Sequence, residues 1–364
     1  MSEQQITDQA QVVRPGAELD VPRLTAYLHE ALALQVDLPV SVEQVVFGFS
    51  NLTYRVYIGN LDLILRRPPV GAHVKSGHDM GREFRVLSAL APIYPYAPRP
   101  LAFCDDDSVI GAPFYVMERV EGVILRQPVP QGVELTPEVI HAVSASLIDN
   151  LVTIHSLDCS TGALSELGKP EGYAQRQVGG WIERYARAKT DDIPDLDRVA
   201  GWLSERIPAH TGAALIHNDY KYDNVILDRA DLSQIRAVLD WEMSTLGDPL
   251  MDLGTTLAYW VDPDDPEHRS GGPLNDRLTS LPGNMRRAEL AQRYAKRSGR
   301  DLGDIVFYFV FGLYKNAVIA QQIHARYVLG LLPDTRYGQF MPAIRSLGAV
   351  AVRAIEKNRI DQLG

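Results

Sequence analysis

The sequence predicts an α+β protein with two lobes, a small one built on an antiparallel sheet and a larger one that is mainly helical. Short β-branched and aromatic runs, separated by turn residues, fill much of the first third of the chain. After Gly122, apolar residues recur mostly at helical spacing. The length of 364 residues also exceeds that of a typical single domain. Since ligand sites often form between lobes, we expect a cleft near residues 117–122, where the two parts join.

The N-terminal lobe is expected to span residues 21–121, after a polar and loose arm at residues 1–20. Its strands are predicted from β-branched and aromatic runs, and the acidic stretch 105–113 has the composition of a turn. The predicted elements are helices 21–34 and 81–90 and strands 42–49, 53–58, 61–67, 101–104 and 114–120.

The C-terminal lobe is expected to span residues 122–364. A clear helical pattern covers residues 139–155, where Val143 and Leu147 fall on one face. The other predicted helices are 180–188, 199–206, 287–296, 302–328 and 341–358, with one strand-like island at 214–239.

Composition and charge argue against several classes of function. The chain has 36 basic and 46 acidic residues, a net charge of −10, whereas non-specific nucleic-acid binding needs clustered positive charge. Its longest apolar run, residues 305–314, is shorter than the roughly 20 residues that span a membrane. The N-terminus lacks the pattern of a signal peptide, and the two cysteines lack metal-ligand spacing. We therefore expect a cytoplasmic protein that binds neither nucleic acid nor membranes.

The most informative stretch is residues 215–254, where polar residues follow short apolar runs at fixed distances. Asp219 is followed five residues later by Asn224, and Asp240 closes the next apolar run. Phosphoryl transfer needs hard oxygen ligands for Mg²⁺ and a carboxylate that accepts the proton of an attacking hydroxyl. The pattern therefore predicts Asp219 as the catalytic base and Asn224 and Asp240 as magnesium ligands.

Neighbouring polar residues are expected to support this loop. We interpret His217 as a hydrogen-bonding support and Asp252 as an acceptor of backbone N–H groups from the loop. Asp248, which precedes Pro249, has the character of a turn residue.

The sequence HNDYKYDN, followed by LDWE and GDPLMDL, resembles the aminoglycoside phosphotransferase/choline kinase family. It is most similar to the branch related to the phosphotransferase domain associated with acyl-CoA dehydrogenases. The resemblance runs from about Phe47 to the last helix. It implies a two-lobed, protein-kinase-like fold, ATP as co-substrate and Mg²⁺ as cofactor. It also implies the roles of base and magnesium ligands that the spacing predicts.

The same resemblance implies where the nucleotide binds. The loop 48–53, with Ser50 and Asn51, would cover the phosphates, although it is poor in glycine. The segment MERV resembles the hinge between the lobes, where backbone groups of Glu118 and Val120 would meet the adenine edge.

One departure from the family pattern concerns the third strand, which usually carries a phosphate-binding lysine paired with a helix glutamate. Here the strand reads LILRR, and its alternation places Arg66 on the face opposite Leu63 and Leu65. Arg66 is therefore our candidate for the phosphate contact, with Glu83 as its ion-pair partner. An arginine is a planar fork rather than a point charge, so the substitution changes how a phosphate is held.

The acceptor is less well defined by these motifs. By resemblance we expect a small hydroxylated metabolite, with a hydroxyacyl-CoA-like alcohol favoured. An aminoglycoside is the alternative, since acidic residues at 191, 192, 195 and 197 could face its positive charges. A third hypothesis is a catalytically weak nucleotide-binding module, a pseudokinase, which the missing strand lysine and the glycine-poor loop favour.

Overall fold

The structure is a computed structural model that describes residues 13–14, 16–34, 38–45, 51–69, 79–208, 212–265, 278–332 and 334–364. These residues pack into two compact units. The first comprises the described residues up to Val123 together with Val225–Asp228 and Arg236–Met243. The second comprises the described parts of Ile124–Asn224, Arg229–Ile235 and Ser244–Gly364. The lobe boundaries 21–121 and 122–364 stay a prediction.

The described residues form strands of three to seven residues and α-helices of up to 24 residues. In chain order, the strands are β1 (Val40–Val45), β2 (Leu52–Ile58), β3 (Leu61–Arg67), β4 (Pro100–Cys104), β5 (Phe114–Glu118), β6 (Ala214–Ile216), β7 (Val225–Leu227), β8 (Ile235–Val238) and β9 (Thr245–Gly247). The helices are α1 (Val21–Ala31), α2 (Met80–Leu90), α3 (Asp107–Ile110), α4 (Pro137–His155), α5 (Gly162–Ser165), α6 (Tyr173–Ala188), α7 (Pro194–Glu205), α8 (Pro249–Ala258), α9 (Arg287–Ser298), α10 (Ile305–Val328) and α11 (Met341–Lys357). Among the helices in the described part of the chain, none has both the length and the apolar character needed to cross a bilayer.

The first unit is built on a five-stranded antiparallel sheet with the strand order β1-β2-β3-β5-β4. A two-residue turn joins β2 to β3, and Gly59 adopts a φ of +57° there, which glycine accepts without steric cost. Along β3, Leu63 and Leu65 are buried in the hydrophobic core. Arg66 therefore lies on the opposite face of the sheet, as the alternation of the sequence predicts.

The core of the second unit contains the crossing of α8 and α10. Every residue of α8 is buried, and most of the first half of α10 is buried as well. The helices approach so closely that a methyl group at Gly254 would meet the carbonyl oxygen of Tyr308. A methyl group at Gly312 would meet the carbonyl of Gly254 in the same way. The two glycines thus permit backbone-to-backbone packing that no larger residue allows.

The predicted secondary structure differs from the structure at several elements: α5 and β9 have no predicted counterpart, and α6 begins at Tyr173 rather than at residue 180. The acidic stretch expected as a turn contains the one-turn helix α3, because the Asp106 side chain accepts from Ser108 N–H and Gly111 ends the turn with a φ of +82°. Helix α8 has no counterpart in the prediction. Its apolar residues do recur at helical spacing, but the polar Asp252, Thr255 and Thr256 are buried as well, so polarity along this helix does not mark an exposed face.

A buried ionic cluster joins α9 to the C-terminal end of the chain. The Arg287 guanidinium pairs with the Asp265 carboxylate, and its Nε atom donates to the carbonyl of Ile360 at 2.7 Å. Asp262 Oδ2 lies 3.5 Å from the same Nε atom. One buried positive charge thus faces two buried carboxylates. Burial, reinforced by Asp265, raises the pKa of Asp262 to about 6 despite the nearby arginine.

The close helix crossing predicts a loss of stability in the Gly254→Ala variant. The added methyl group must displace the Tyr308 backbone, so we expect the free energy of unfolding to fall by about 1–3 kcal/mol, measured by urea denaturation. Gly179→Ala in α6 is the control, because a methyl group there meets no atom within 4 Å. It should leave stability unchanged or slightly higher. Equal effects of the two substitutions would contradict the close crossing.

The raised pKa of Asp262 predicts a dependence of stability on pH. Between about pH 4 and pH 6 the folded chain keeps a proton on Asp262 that the unfolded chain has released, so its contribution to stability falls as pH rises through this window. The Asp262→Asn variant has no such proton. The free energy of unfolding of the native chain, minus that of the variant, should therefore decrease from pH 4 to pH 6 and then level off. If the free energies of unfolding of the two proteins changed in parallel from pH 4 to pH 6, Asp262 would be ionised throughout this range in the folded chain.

Candidate functional site

The Asp219 carboxylate lies on the loop after β6 and is contacted by three side chains. Asn224 Nδ2 donates to Asp219 Oδ2 at 2.9 Å and to the Asp219 carbonyl at 2.8 Å. The Tyr259 hydroxyl donates to Oδ1 at 2.5 Å, and Lys221 Nζ lies 3.3 Å from Oδ2. Burial and the Asp219 charge raise the pKa of the Tyr259 phenol well above its usual value, so this group stays a donor. Both carboxylate oxygens are therefore held in position.

The backbone of this loop is held by Asp252 of α8. Asp252 is fully buried, and its two oxygens accept the N–H groups of His217 and Asn218, each at 2.7 Å. The interpretation of Asp252 as an acceptor of loop N–H groups is thus confirmed. Burial alone would raise the pKa of the Asp252 carboxyl, but hydrogen bonding and the nearby imidazoles of His155 and His217 lower it. Asp252 is therefore a charged acceptor, which makes stronger hydrogen bonds than a neutral one.

Asn218, the residue before Asp219, has a left-handed backbone with a φ of +67°. Its carbonyl accepts a 2.6 Å hydrogen bond from Lys315 Nζ of α10, and its side-chain Nδ2 donates to the Tyr173 hydroxyl at 3.1 Å. Lys315 is only 2% exposed, and burial lowers the pKa of its ammonium group to about 8. The loop is thus held by side chains of α6, α8 and α10.

A second polar cluster lies in the first unit around Arg66. Its guanidinium pairs with Glu83 of α2 and donates to Asp240 Oδ1 at 2.9 Å. Glu242 Oε2 lies 3.9 Å from the guanidinium and accepts from Asn51 Nδ2 at 2.7 Å. Burial alone would lower the pKa of Arg66, but the carboxylates, chiefly that of Glu83, raise it well above the usual value. The arginine is therefore charged and surrounded by acidic groups.

The structure therefore brings the predicted site residues together in two groups. Asp219 and Asn224 are in direct contact in the second unit. Arg66, Glu83 and Asp240 are in contact in the first unit, and Asn51 joins them through Glu242. Their roles toward a nucleotide or a metal stay predictions.

The other predicted nucleotide contacts are backbone groups and a loop residue. The N–H of Glu118 donates to the carbonyl of Arg99 at 2.9 Å, so this N–H is already used within the first unit. Val120 lies just beyond the end of β5 and is half-buried. Ser50 lies outside the described residues.

The donor chemistry at Asn224 and Asp240 fits a magnesium ion. Because Asn224 uses its Nδ2 atom to bind Asp219, its Oδ1 atom is the one that can act as a ligand. Within the described ranges, no three histidine, cysteine, aspartate or glutamate side chains gather into a metal-binding cluster. Mg²⁺ usually keeps several water or phosphate ligands and so needs few protein oxygens.

Three contacting residues were missed by the sequence reasoning. Lys221 lies inside the HNDYKYDN motif, only two residues after the predicted base. Tyr259 lies directly after α8, a helix that the sequence analysis did not predict. Lys315 did leave a signal, because it interrupts the long apolar run of α10, where a charged residue needs a specific partner.

Comparison of the chain with known proteins identifies one enzyme family. Residues 41–297 match the sequence model of the Phosphotransferase enzyme family. Acyl-CoA dehydrogenase family member 10 of Mus musculus is 33% identical over 320 residues, which cover 87% of this chain and 29% of the relative. The chain spans less than half the length of the curated relatives it matches.

Two solved structures share the fold. A Ralstonia eutropha JMP134 protein, provisionally named an aminoglycoside phosphotransferase, has a TM-score of 0.74 and 28% identity, covering 91% of this chain and 97% of that one. A thermostable mutant of an aminoglycoside phosphotransferase, in a ternary complex with AMP-PNP and hygromycin B, has a TM-score of 0.55 and 17% identity, covering 89% and 98%. The kinase-like fold class predicted from the sequence is thus confirmed, and the chain belongs to the phosphotransferase enzyme family.

Proposed function

We propose that this protein is an ATP-dependent kinase that transfers the γ-phosphate of ATP to a hydroxyl group of a small metabolite. The observation that carries this proposal is the Asp219 carboxylate, which Asn224 and Tyr259 hold at 2.9 and 2.5 Å on a loop supported by Asp252. A carboxylate that serves only as a surface charge needs no such arrangement. A catalytic base needs such fixed contacts, because its oxygen must point at the one hydroxyl that reacts.

In the proposed reaction, Asp219 accepts the proton of the acceptor hydroxyl as its oxygen attacks the γ-phosphorus. The bond from the γ-phosphorus to the β–γ bridging oxygen breaks, and ADP leaves. Asn224 and Asp240 would hold Mg²⁺ through their side-chain oxygens. When bound, this ion neutralises the charge that develops on the phosphates. Positioning and charge neutralisation supply most of the catalysis in such transfers.

Arg66 is proposed as the phosphate-binding cation of the first unit. Glu83 fixes one edge of its guanidinium, while the other edge now donates to Asp240. A polyanionic nucleotide phosphate would offer that second edge a stronger acceptor than a single carboxylate. Arg66 can thus take the role that a strand lysine has in the family, with Asn51, and Ser50 from the sequence pattern, as candidates for the loop over the phosphates.

For the acceptor, we favour a hydroxyacyl-CoA-like alcohol over an aminoglycoside. This preference rests on the resemblance to the branch associated with acyl-CoA dehydrogenases; the names of the curated relatives do not indicate the acceptor, since the chain spans less than half of their length. Two of the acidic residues that could attract an aminoglycoside, Asp192 and Asp197, pair with Lys189. Asp191 lies 4.0 Å from the Arg345 guanidinium. The aminoglycoside alternative is supported by the fold neighbour that binds hygromycin B.

The role of Asp219 predicts the effect of Asp219→Asn. The amide keeps the shape of the side chain but cannot accept a proton, so we expect ADP release with an acceptor to fall by about a thousandfold or more, with nucleotide affinity little changed. Asp223→Asn removes the same charge from the same loop and should retain activity. If Asp219→Asn left turnover unchanged while Mg·ATP still raised the thermal stability, the pseudokinase hypothesis would replace the kinase.

The choice of acceptor predicts the outcome of a substrate panel. Purified protein is incubated with Mg·ATP and, separately, with hydroxyacyl-CoA thioesters, the corresponding free hydroxy acids, choline and kanamycin, and ADP release is recorded. We expect turnover with a hydroxyacyl-CoA and none above background with kanamycin. Efficient phosphorylation of kanamycin would establish the aminoglycoside alternative instead.

A further inference from the structure

The conformation of Asn218 determines where the proposed base points. A φ of +67° is uncommon for a residue with a side chain, although asparagine tolerates it better than most. Asp219 follows directly, so a relaxation of Asn218 to an ordinary φ would rotate the next peptide and move the carboxylate. The loop therefore needs contacts that hold this one residue in its left-handed state.

The polar groups of Asn218 all have partners in the second unit. Its N–H donates to Asp252 Oδ1, its side-chain amide meets the Tyr173 hydroxyl, and its carbonyl accepts from Lys315 Nζ. The Asp252 and Tyr173 contacts hold the N–H and the side chain, whereas the Lys315 contact holds the carbonyl.

The peptide unit that joins Asn218 to Asp219 has a hydrogen bond at each of its two polar atoms. Lys315 Nζ donates to its oxygen, and its N–H donates to His217 Nδ1 at 3.3 Å. Because His217 belongs to the same loop, its contact moves with the loop. The bond from Lys315 therefore ties this peptide to a different element of the fold, α10.

Lys315 lies on a helix whose neighbouring residues are mostly apolar. Its side chain is 2% exposed, and its Nζ atom lies 6.0 Å from the centre of the Trp181 ring. Burial of an ammonium group is unfavourable unless a specific interaction offsets it. The 2.6 Å bond to the Asn218 carbonyl is such an interaction, and Asp219 and Asp252 are nearby negative charges.

We propose that Lys315 is a positioning residue that holds the Asn218–Asp219 peptide and thereby aims the Asp219 carboxylate at the acceptor hydroxyl. This inference rests on the proposed function for its catalytic consequence, while its structural part concerns the loop alone. Lys315 takes no part in proton or phosphoryl transfer.

The test compares Lys315→Met with Gln321→Met. Gln321 lies on the same helix, is equally buried, and donates to Ala188 O and Thr190 Oγ1, away from the loop. Amide hydrogen exchange of peptides covering residues 215–220 should be about tenfold faster or more in Lys315→Met than in Gln321→Met, because the lysine contacts the loop and the glutamine does not. Equal protection in both variants would overturn the proposal.

Steady-state ADP release from Mg·ATP, with the most active alcohol of the panel, gives the second measurement. We expect kcat to fall about tenfold to a hundredfold in Lys315→Met, with the KM for ATP within about threefold of the original. Gln321→Met should retain kcat. An unchanged kcat in Lys315→Met, with an active native enzyme, would overturn the positioning role. An inactive native enzyme with a loosened loop would instead contradict only the proposed function.

A glycine at position 218 separates positioning from general support of the fold. Glycine adopts a positive φ without steric cost, so the loop of Asn218→Gly depends less on the lysine. In that background Lys315→Met should lower kcat by about threefold or less. A loss of kcat as large as in the original background would show that Lys315 acts in some other way.

Discussion

The geometry of the site depends on one buried carboxylate, that of Asp252. Its two oxygens accept consecutive backbone N–H groups of the loop that carries Asp219, and the His155 imidazole lies 3.1 Å from one of them. A charged group with no exposure to water is tolerable only because each oxygen has strong donors. Removal of that acceptor would leave two buried N–H groups unsatisfied and the loop without a fixed position. The proposed chemistry thus depends on the charged Asp252 carboxylate, which positions the loop and takes no part in the reaction.

Charge compensation has a comparable role in the first unit. Arg66 is nearly buried, and its guanidinium meets the carboxylates of Glu83 and Asp240, with Glu242 close by. Together these groups carry an excess of negative charge, so a divalent cation beside Asp240 would be favoured electrostatically. In the proposed complex, the phosphate would replace Asp240 as a partner of Arg66, and the cation would replace Arg66 as a partner of Asp240.

Much of the fold could be predicted because the relevant signals are local. The β2–β3 hairpin shows alternation and a Gly-Asn turn, and helix α4 shows a clear apolar face. Helix α8 was missed although its apolar residues recur at helical spacing; its polar residues Asp252, Thr255 and Thr256 are buried too, and that burial could not be predicted from the sequence. In the site, the motif identified Asp219 and Asn224 through their spacing. Tyr259 and Lys315 reach the same loop from far along the chain, across a distance that no local pattern spans.

The contact between Gly254 and Gly312 has a consequence beyond the stability of the core. One helix at this crossing carries Asp252 and is followed at its end by Tyr259, while the other carries Lys315. All three contact the segment His217–Asp219, so a change in the separation of the two helices would shift every one of these contacts together.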